Sequence, residues 1–221
     1  MILRMIALFA AIATLTNLFG SVSIDTVGAR VVSYVPAHGR ETLADLSPGY
    51  GGIPLCWPWF KFNGPKGMDS PKHGIVRNRE FEIVERKDGD TSSRLVLKLA
   101  SDFATHLEWP YDFTLVLVVG LSREGLSLEL IGENTGTEPF PVTEAFHPYL
   151  LRSEVGKLKD KGSGTFRTWD PDPDSHLKTV GIGPDDWKKF VCVENGTFRK
   201  EDAYTLNPGE RHTLSRTIRA K

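Results

Sequence analysis

The chain has 221 residues, with 27 Lys and Arg against 28 Asp and Glu and 40% hydrophobic residues. That length fits one domain with a substantial core. Basic residues scattered among acidic ones exclude the electrostatic footprint of a nucleic-acid binder. The two cysteines, Cys56 and Cys192, lie in the apolar stretches "PLCWPWF" and "FVCVEN" without zinc-type spacing, so they read as buried free thiols.

In chain order, "MILRMIALFAAIATLTNLFGSVS" opens on an apolar run. Residues 1–14 read either as an apolar lead-in or as a signal segment with small residues at Ala11/Ala13 or Ser21/Ser23. The run is too short for a membrane span, so no stable membrane insertion is expected. A single domain is expected over residues 15–221.

Strand-like alternation of apolar and polar residues follows in "ARVVSYV", "REFEIVER", "SRLVLKLA", "FTLVLVVGL", "LSLELIGEN", "FVCVEN" and "HTLSRTIRA". Turn signals such as "KDGD", "REG" and "LNPGE" separate these runs, and residues 113–134 read as a long hairpin turning near Arg123–Gly125. Helical signal is confined to a single turn in "GPDDWKKF". The pattern predicts an all-β protein, an antiparallel β-sandwich. Two segments break the alternation: "SPGYGGIPLCWPWFKFNGPKGMDSPKHG" and "DKGSGTFRTWDPDPDSHLKTVGIGPDDW". Breaks of this kind are where function concentrates.

The candidate chemistry is acid–base. His147 lies in the apolar run "VTEAFHPYLL", where an imidazole needs a partner, as a satisfied core histidine or as a general acid. Glu194 ends the apolar strand "FVCVENG", as a water-facing strand end or as a functional carboxylate. Glu144, three residues before His147, is a candidate to orient it. His73 and Arg77 share "HGIVRN", where Gly74 permits close backbone approach and Arg77 suits bidentate recognition of an anion. Trp57, Trp59, Phe60 and Phe62 form either a stacking wall for a sugar ring or a plug at the end of the core. No nucleophile elbow, phosphate-binding glycine loop or metal-ligand cluster occurs in the sequence.

The ordered set "GARVVSYVP", "GGIPLCWPWF", "HGIVRNREFEI", "TEAFHPYL", "WDPD", "FVCVENG" and "LNPGERHTL" resembles the galactose-mutarotase-like proteins, and within them the aldose 1-epimerases acting on hexose 6-phosphates. The resemblance implies a large galactose-mutarotase-like β-sandwich with a cleft, no cofactor and no metal. It also implies a small-molecule sugar or sugar phosphate as substrate and a monomer in the cytoplasm, with the apolar start leaving secretion open. His147 matches the acid that protonates the ring oxygen, and Glu194 the base at the anomeric hydroxyl. His73 and Arg77 match residues that hold the sugar and its 6-phosphate, and Trp57, Tyr50 and Asp170 are the further substrate-binding candidates.

The chain departs from the family pattern twice. Tyr50 stands where the phosphate-specific branch commonly has an arginine, with Lys61, Lys66 and Lys72 as possible substitutes. Trp169 follows His147 by only 22 positions, where relatives carry a longer segment. A mutarotase of unphosphorylated aldoses and a non-catalytic carbohydrate-binding relative are the alternatives.

Overall fold

The computed structural model describes residues 11–46, 50–62, 64–179 and 181–221. Its strands are β1 Ile12–Asn17, β2 Gly20–Asp25, β3 Arg30–Pro36, β4 Asp45–Leu46, β5 Tyr50–Gly51 and β6 Leu55–Cys56. Then come β7 Glu82–Lys87, β8 Ser92–Ala100, β9 Phe113–Ser122, β10 Gly125–Asn134, β11 Phe140–Val142, β12 Ala145–Phe146 and β13 Tyr149–Leu151. The chain ends with β14 Leu158–Gly162, β15 Thr165–Trp169, β16 Phe190–Gly196, β17 Tyr204–Leu206 and β18 Arg211–Ala220. Three four-residue helices interrupt them: α1 Phe103–His106, α2 Arg152–Val155 and α3 Ser175–Lys178. The expected helical turn in "GPDDWKKF" is a 3-10 turn at Asp186–Lys188.

Six antiparallel strands in the order β14-β18-β10-β9-β8-β7 make one sheet of the sandwich. Its long strands obey alternation closely. Leu115, Leu117, Val119 and Leu121 of β9 are fully buried, with intermediate residues between them. Each leucine so removed from water stabilises the fold by about 1.5–3 kcal/mol before entropy is counted. The two-residue turn between β9 and β10 ends at Gly125, whose φ of 95° admits no side chain without strain. A second sheet, β13-β16-β12-β6 with β15 added at β16, carries the candidate site, and β1–β3 close the core.

One expectation is revised here. The segment after His147 is not irregular throughout: a turn at Ser163–Gly164 carries the chain from β14 in the first sheet to β15 in the second, where β15 pairs with β16 from Thr165↔Gly196 to Trp169↔Cys192. Residues 1–10 of the lead-in lie outside the described residues, while Ile12–Thr14 belong to β1 and Ala13 is buried in the core. Among the described residues no helix is long and apolar enough to cross a membrane. Both cysteines are free and buried.

Candidate active site

Four pieces of chain converge on one face of the second sheet. β6 leads into the loop that bears His73 and Arg77, the β12–β13 junction bears His147, β15 bears Arg167 and Trp169, and β16 bears Glu194. They enclose a cavity of about 390 Å3 whose wall also includes Tyr50, Phe60, Tyr149 and α3.

The local chain path fixes each group. His73 takes a φ of 71°, uncommon for a residue with a side chain, and Gly74 follows at 87°. A Cβ on Gly74 would lie 1.9 Å from the Trp57 carbonyl oxygen, so only glycine fits where the loop runs beside Trp57, just past β6. The His73 amide donates to the Lys61 carbonyl at 2.7 Å, and the Lys61 amide donates back to Nδ1 of His73 at 3.2 Å. With Nδ1 accepting, the ring proton is assigned to Nε2. Burial, then the nearby Arg77 charge, holds the His73 pKa far below its ordinary value, so the ring is a neutral donor.

The two histidines meet edge to face, with ring centroids 5.2 Å apart, and His147 also stacks on Tyr149 at 5.1 Å. Nε2 of His147 lies 2.9 Å from Oε1 of Glu194, and both side chains are almost completely buried. Glu194 Oε2 and His147 Nδ1 have no hydrogen-bond partner. A buried carboxylate with one oxygen against an imidazole and the other uncommitted is arranged to accept a proton from a third group.

Arg77 is anchored from below: its Nε donates to the Leu55 carbonyl at 3.0 Å and its Nη2 to Cys56 Sγ at 3.1 Å. Burial pushes the Cys56 thiol up to about 11, so it is a neutral packing group. Arg77 joins Lys61, Lys72, Arg167 and Lys178 in the cavity wall, and among the described residues none of the five forms a salt bridge. The cavity's carboxylates are otherwise engaged: Glu194 faces His147, and Asp172 accepts from the Asp174 amide at 2.9 Å and the Ser175 hydroxyl at 3.0 Å to hold the start of α3. Burial and the like charges of Arg77 and Lys61 depress the Lys72 pKa. The site is therefore a pocket of net positive charge, five cations against Glu194 and Asp172, around a His147–Glu194 contact, and it suits an anionic ligand.

Of the candidate residues, His73, Arg77, His147, Glu194 and Tyr50 all line this cavity. Trp57 does not. Cys56 faces the site, so the next residue faces the core, where the fully buried Trp57 ring packs on Phe113 at 4.5 Å and Phe140 at 6.5 Å. Of the four clustered aromatics, Trp59 packs on Trp109, and only Phe60 reaches the cavity wall. Asp170 turns outward to an exposed ion pair with Arg152, because Trp169 before it takes the inward position. Glu144 pairs with Nδ1 of His212 at 2.8 Å rather than with His147.

Arg167, Tyr149 and Lys178 were missed by sequence reasoning. The T-F-R-T-W alternation that puts Arg167 and Trp169 on one face was a usable signal; Lys178 had none.

Residues 12–170 match the family model described as "Aldose 1-epimerase". The chain belongs to the aldose 1-epimerase family. His73, Arg77 and His147 lie within the matched span, and Glu194 follows it. A Salmonella typhimurium protein named "Putative glucose-6-phosphate 1-epimerase" is 33% identical over 147 residues, covering 62% of this chain and 47% of its own. One of the same name from Cenchrus ciliaris is 30% identical over 156 residues, covering 63% and 46%. The alignments thus span about half the length of these relatives.

Solved structures share the fold. A Salmonella typhimurium "putative mutarotase" superposes with a TM-score of 0.79 at 21% identity, over 95% of this chain and 90% of its own. A galactose mutarotase-like protein from Lactobacillus casei superposes at 0.70 with 15% identity, over 96% and 100%. The protein is an all-β member of this fold, as its alternation predicts.

Proposed function

We propose that the protein is an aldose 1-epimerase that interconverts the α and β anomers of a hexose 6-phosphate such as glucose 6-phosphate. The observation that carries the reading is the buried contact of His147 Nε2 with Glu194 Oε1 inside a sugar-sized cavity. The hydroxyl oxygen and ring oxygen of a hemiacetal share one carbon, so an acid and a base that touch each other can each reach one of them. Glu194 takes the proton of the anomeric hydroxyl as His147, in its imidazolium form, gives its Nε2 proton to the ring oxygen. The bond from C1 to the ring oxygen breaks, and the C1 carbonyl forms. Rotation about C1–C2 and the reverse transfers close the ring on its other face. His73 supplies a neutral donor to hold the sugar, and Phe60, Tyr149 and Trp169 supply aromatic walls.

The five unpaired cations support a phosphorylated substrate, with Lys72 and Arg77 the chief candidates to grip the phosphate. Tyr50, in the place of an arginine, favours the second reading, a mutarotase of unphosphorylated aldoses. On the first reading the protein works as a cytoplasmic monomer on a small metabolite. A panel of glucose 6-phosphate, glucose and galactose separates these possibilities when anomer exchange is measured with and without protein. The first reading expects the phosphate ester to be favoured strongly. Equal acceleration of all three would replace it with the second, and saturable binding without acceleration would leave a carbohydrate-binding relative.

A further inference from the structure

Alternation along β18 puts Leu214, Arg216 and Ile218 on the inner face of the sandwich, and Arg216 is 1% exposed there. A charged residue at that depth requires partners. One terminal nitrogen bonds Asp160 of β14, and the other donates to Oδ1 of Asn195 at 2.8 Å. Asn195 completes the set: its Nδ2 donates to the carbonyls of Ser163 and Ser215, each at 3.0 Å. Ser163 and Ser215 also hold each other, through an amide-to-carbonyl bond and an amide-to-hydroxyl bond.

Replacing a buried ion pair by apolar side chains of similar volume is often neutral or stabilising, so fold stability does not account for this knot. Its position does. Asn195 follows Glu194 on β16, and successive side chains point to opposite faces, so the residue that faces inward to the knot sits directly behind the one that faces the cavity. The knot ties β16 to the other sheet at that point. His147 stands at the junction of β12 and β13, which both pair with β16, and the knot adds a tie from the inner face at the residue next to Glu194, where the 2.9 Å contact is made. The charge also bears on the site: burial lowers the Arg216 pKa, and the Asp160 and Glu194 carboxylates oppose that shift.

We propose that Asn195 and Arg216, with Asp160, are positioning residues that set Glu194 against His147. This inference rests on the epimerase reading for its kinetic consequence and on the hydrogen bond alone for its structural one. The test replaces the ion pair by apolar groups, Arg216→Met with Asp160→Leu, and separately makes the isosteric change Asn195→Asp, which cannot donate to the Ser163 and Ser215 carbonyls. Each variant is measured for anomer exchange of glucose 6-phosphate and for the NMR resonance of the hydrogen-bonded His147 Nε2 proton.

The expected result is kcat lower by roughly tenfold or more with KM within about twofold, together with loss or displacement of that resonance. A purely structural role would leave both at wild-type values in any variant that folds. Either measure staying at its wild-type value in a folded variant overturns the proposal, and Asn195→Asp decides if the double variant does not fold. A wild-type protein that does not accelerate exchange, but whose resonance moves in the variants, would sink the epimerase reading and leave the positioning role standing.

Discussion

The two sheets of the sandwich obey different rules. In the six-stranded sheet, strands of 9 and 10 residues run in unbroken register, and β9 buries every second residue as Leu, Val or Phe. In the site-bearing sheet, β6 and β12 are two residues long and β13 is three, left-handed residues flank the chemistry, and the buried set includes His73, His147, Glu194 and Asn195. The first sheet supplies apolar burial, and the second spends regularity on holding polar groups out of water. Stability and activity should therefore separate under mutation, the first sheet changing one and the second changing the other.

The largest expected effect is in the second sheet. Glu194→Gln and His147→Ala should each lower catalysed exchange of glucose 6-phosphate by about 10²–10⁴ while the thermal midpoint moves little, as read by NMR exchange and calorimetry. The mirror experiment is Leu117→Ala in β9. It should destabilise the protein by about 2–5 kcal/mol in urea unfolding yet leave kcat/KM unchanged while the protein is folded. If it altered kcat/KM as much as Glu194→Gln does, the division between the sheets would be lost.

Lys72→Met sharpens the comparison within the site. Removing one unpaired cation should raise KM for glucose 6-phosphate by about tenfold, a loss of about 1.4 kcal/mol, without altering turnover of unphosphorylated glucose. A smaller effect concerns pH. His73 is held neutral in the fold, below its ordinary 6.5, so the unfolded chain binds the extra proton and stability is lost as pH falls below about 6.5. Between pH 6.5 and 5.5 that loss is at most about 1.4 kcal/mol, and His73→Gln should flatten this part of the stability profile.

Legibility in the sequence follows the same division. β8, β9, β10, β16 and β18 were readable because one face of each is apolar, and the period of two survives in "SRLVLKLA" and "HTLSRTIRA". In the site-bearing sheet the residue types were readable but not all their directions. Trp57 and Asp170 read as substrate contacts, although each adjoins the residue that turns to the site: Cys56, which touches His73 and Arg77, and Trp169, which lines the cavity. Strand parity decides such cases, but only once the strand is recognised. β15 was hidden in a segment rich in Gly, Pro and Asp. The partner of Glu144 depended on β18, 68 residues away, which no local pattern reports. Arg216 stands on the apolar face of its strand, between Leu214 and Ile218, a break in the alternation that went unread.

On the proposed function, a buried His147–Glu194 pair turns over the anomers of a hexose 6-phosphate. The most direct measurement is two-dimensional NMR exchange spectroscopy between the α and β anomeric protons of glucose 6-phosphate in the presence of the wild-type protein. Cross-peaks that grow with protein concentration beyond the spontaneous rate, and return to that rate with Glu194→Gln, are the predicted result. A spectrum that the wild-type protein leaves at the spontaneous rate would rule out catalysis by this pair.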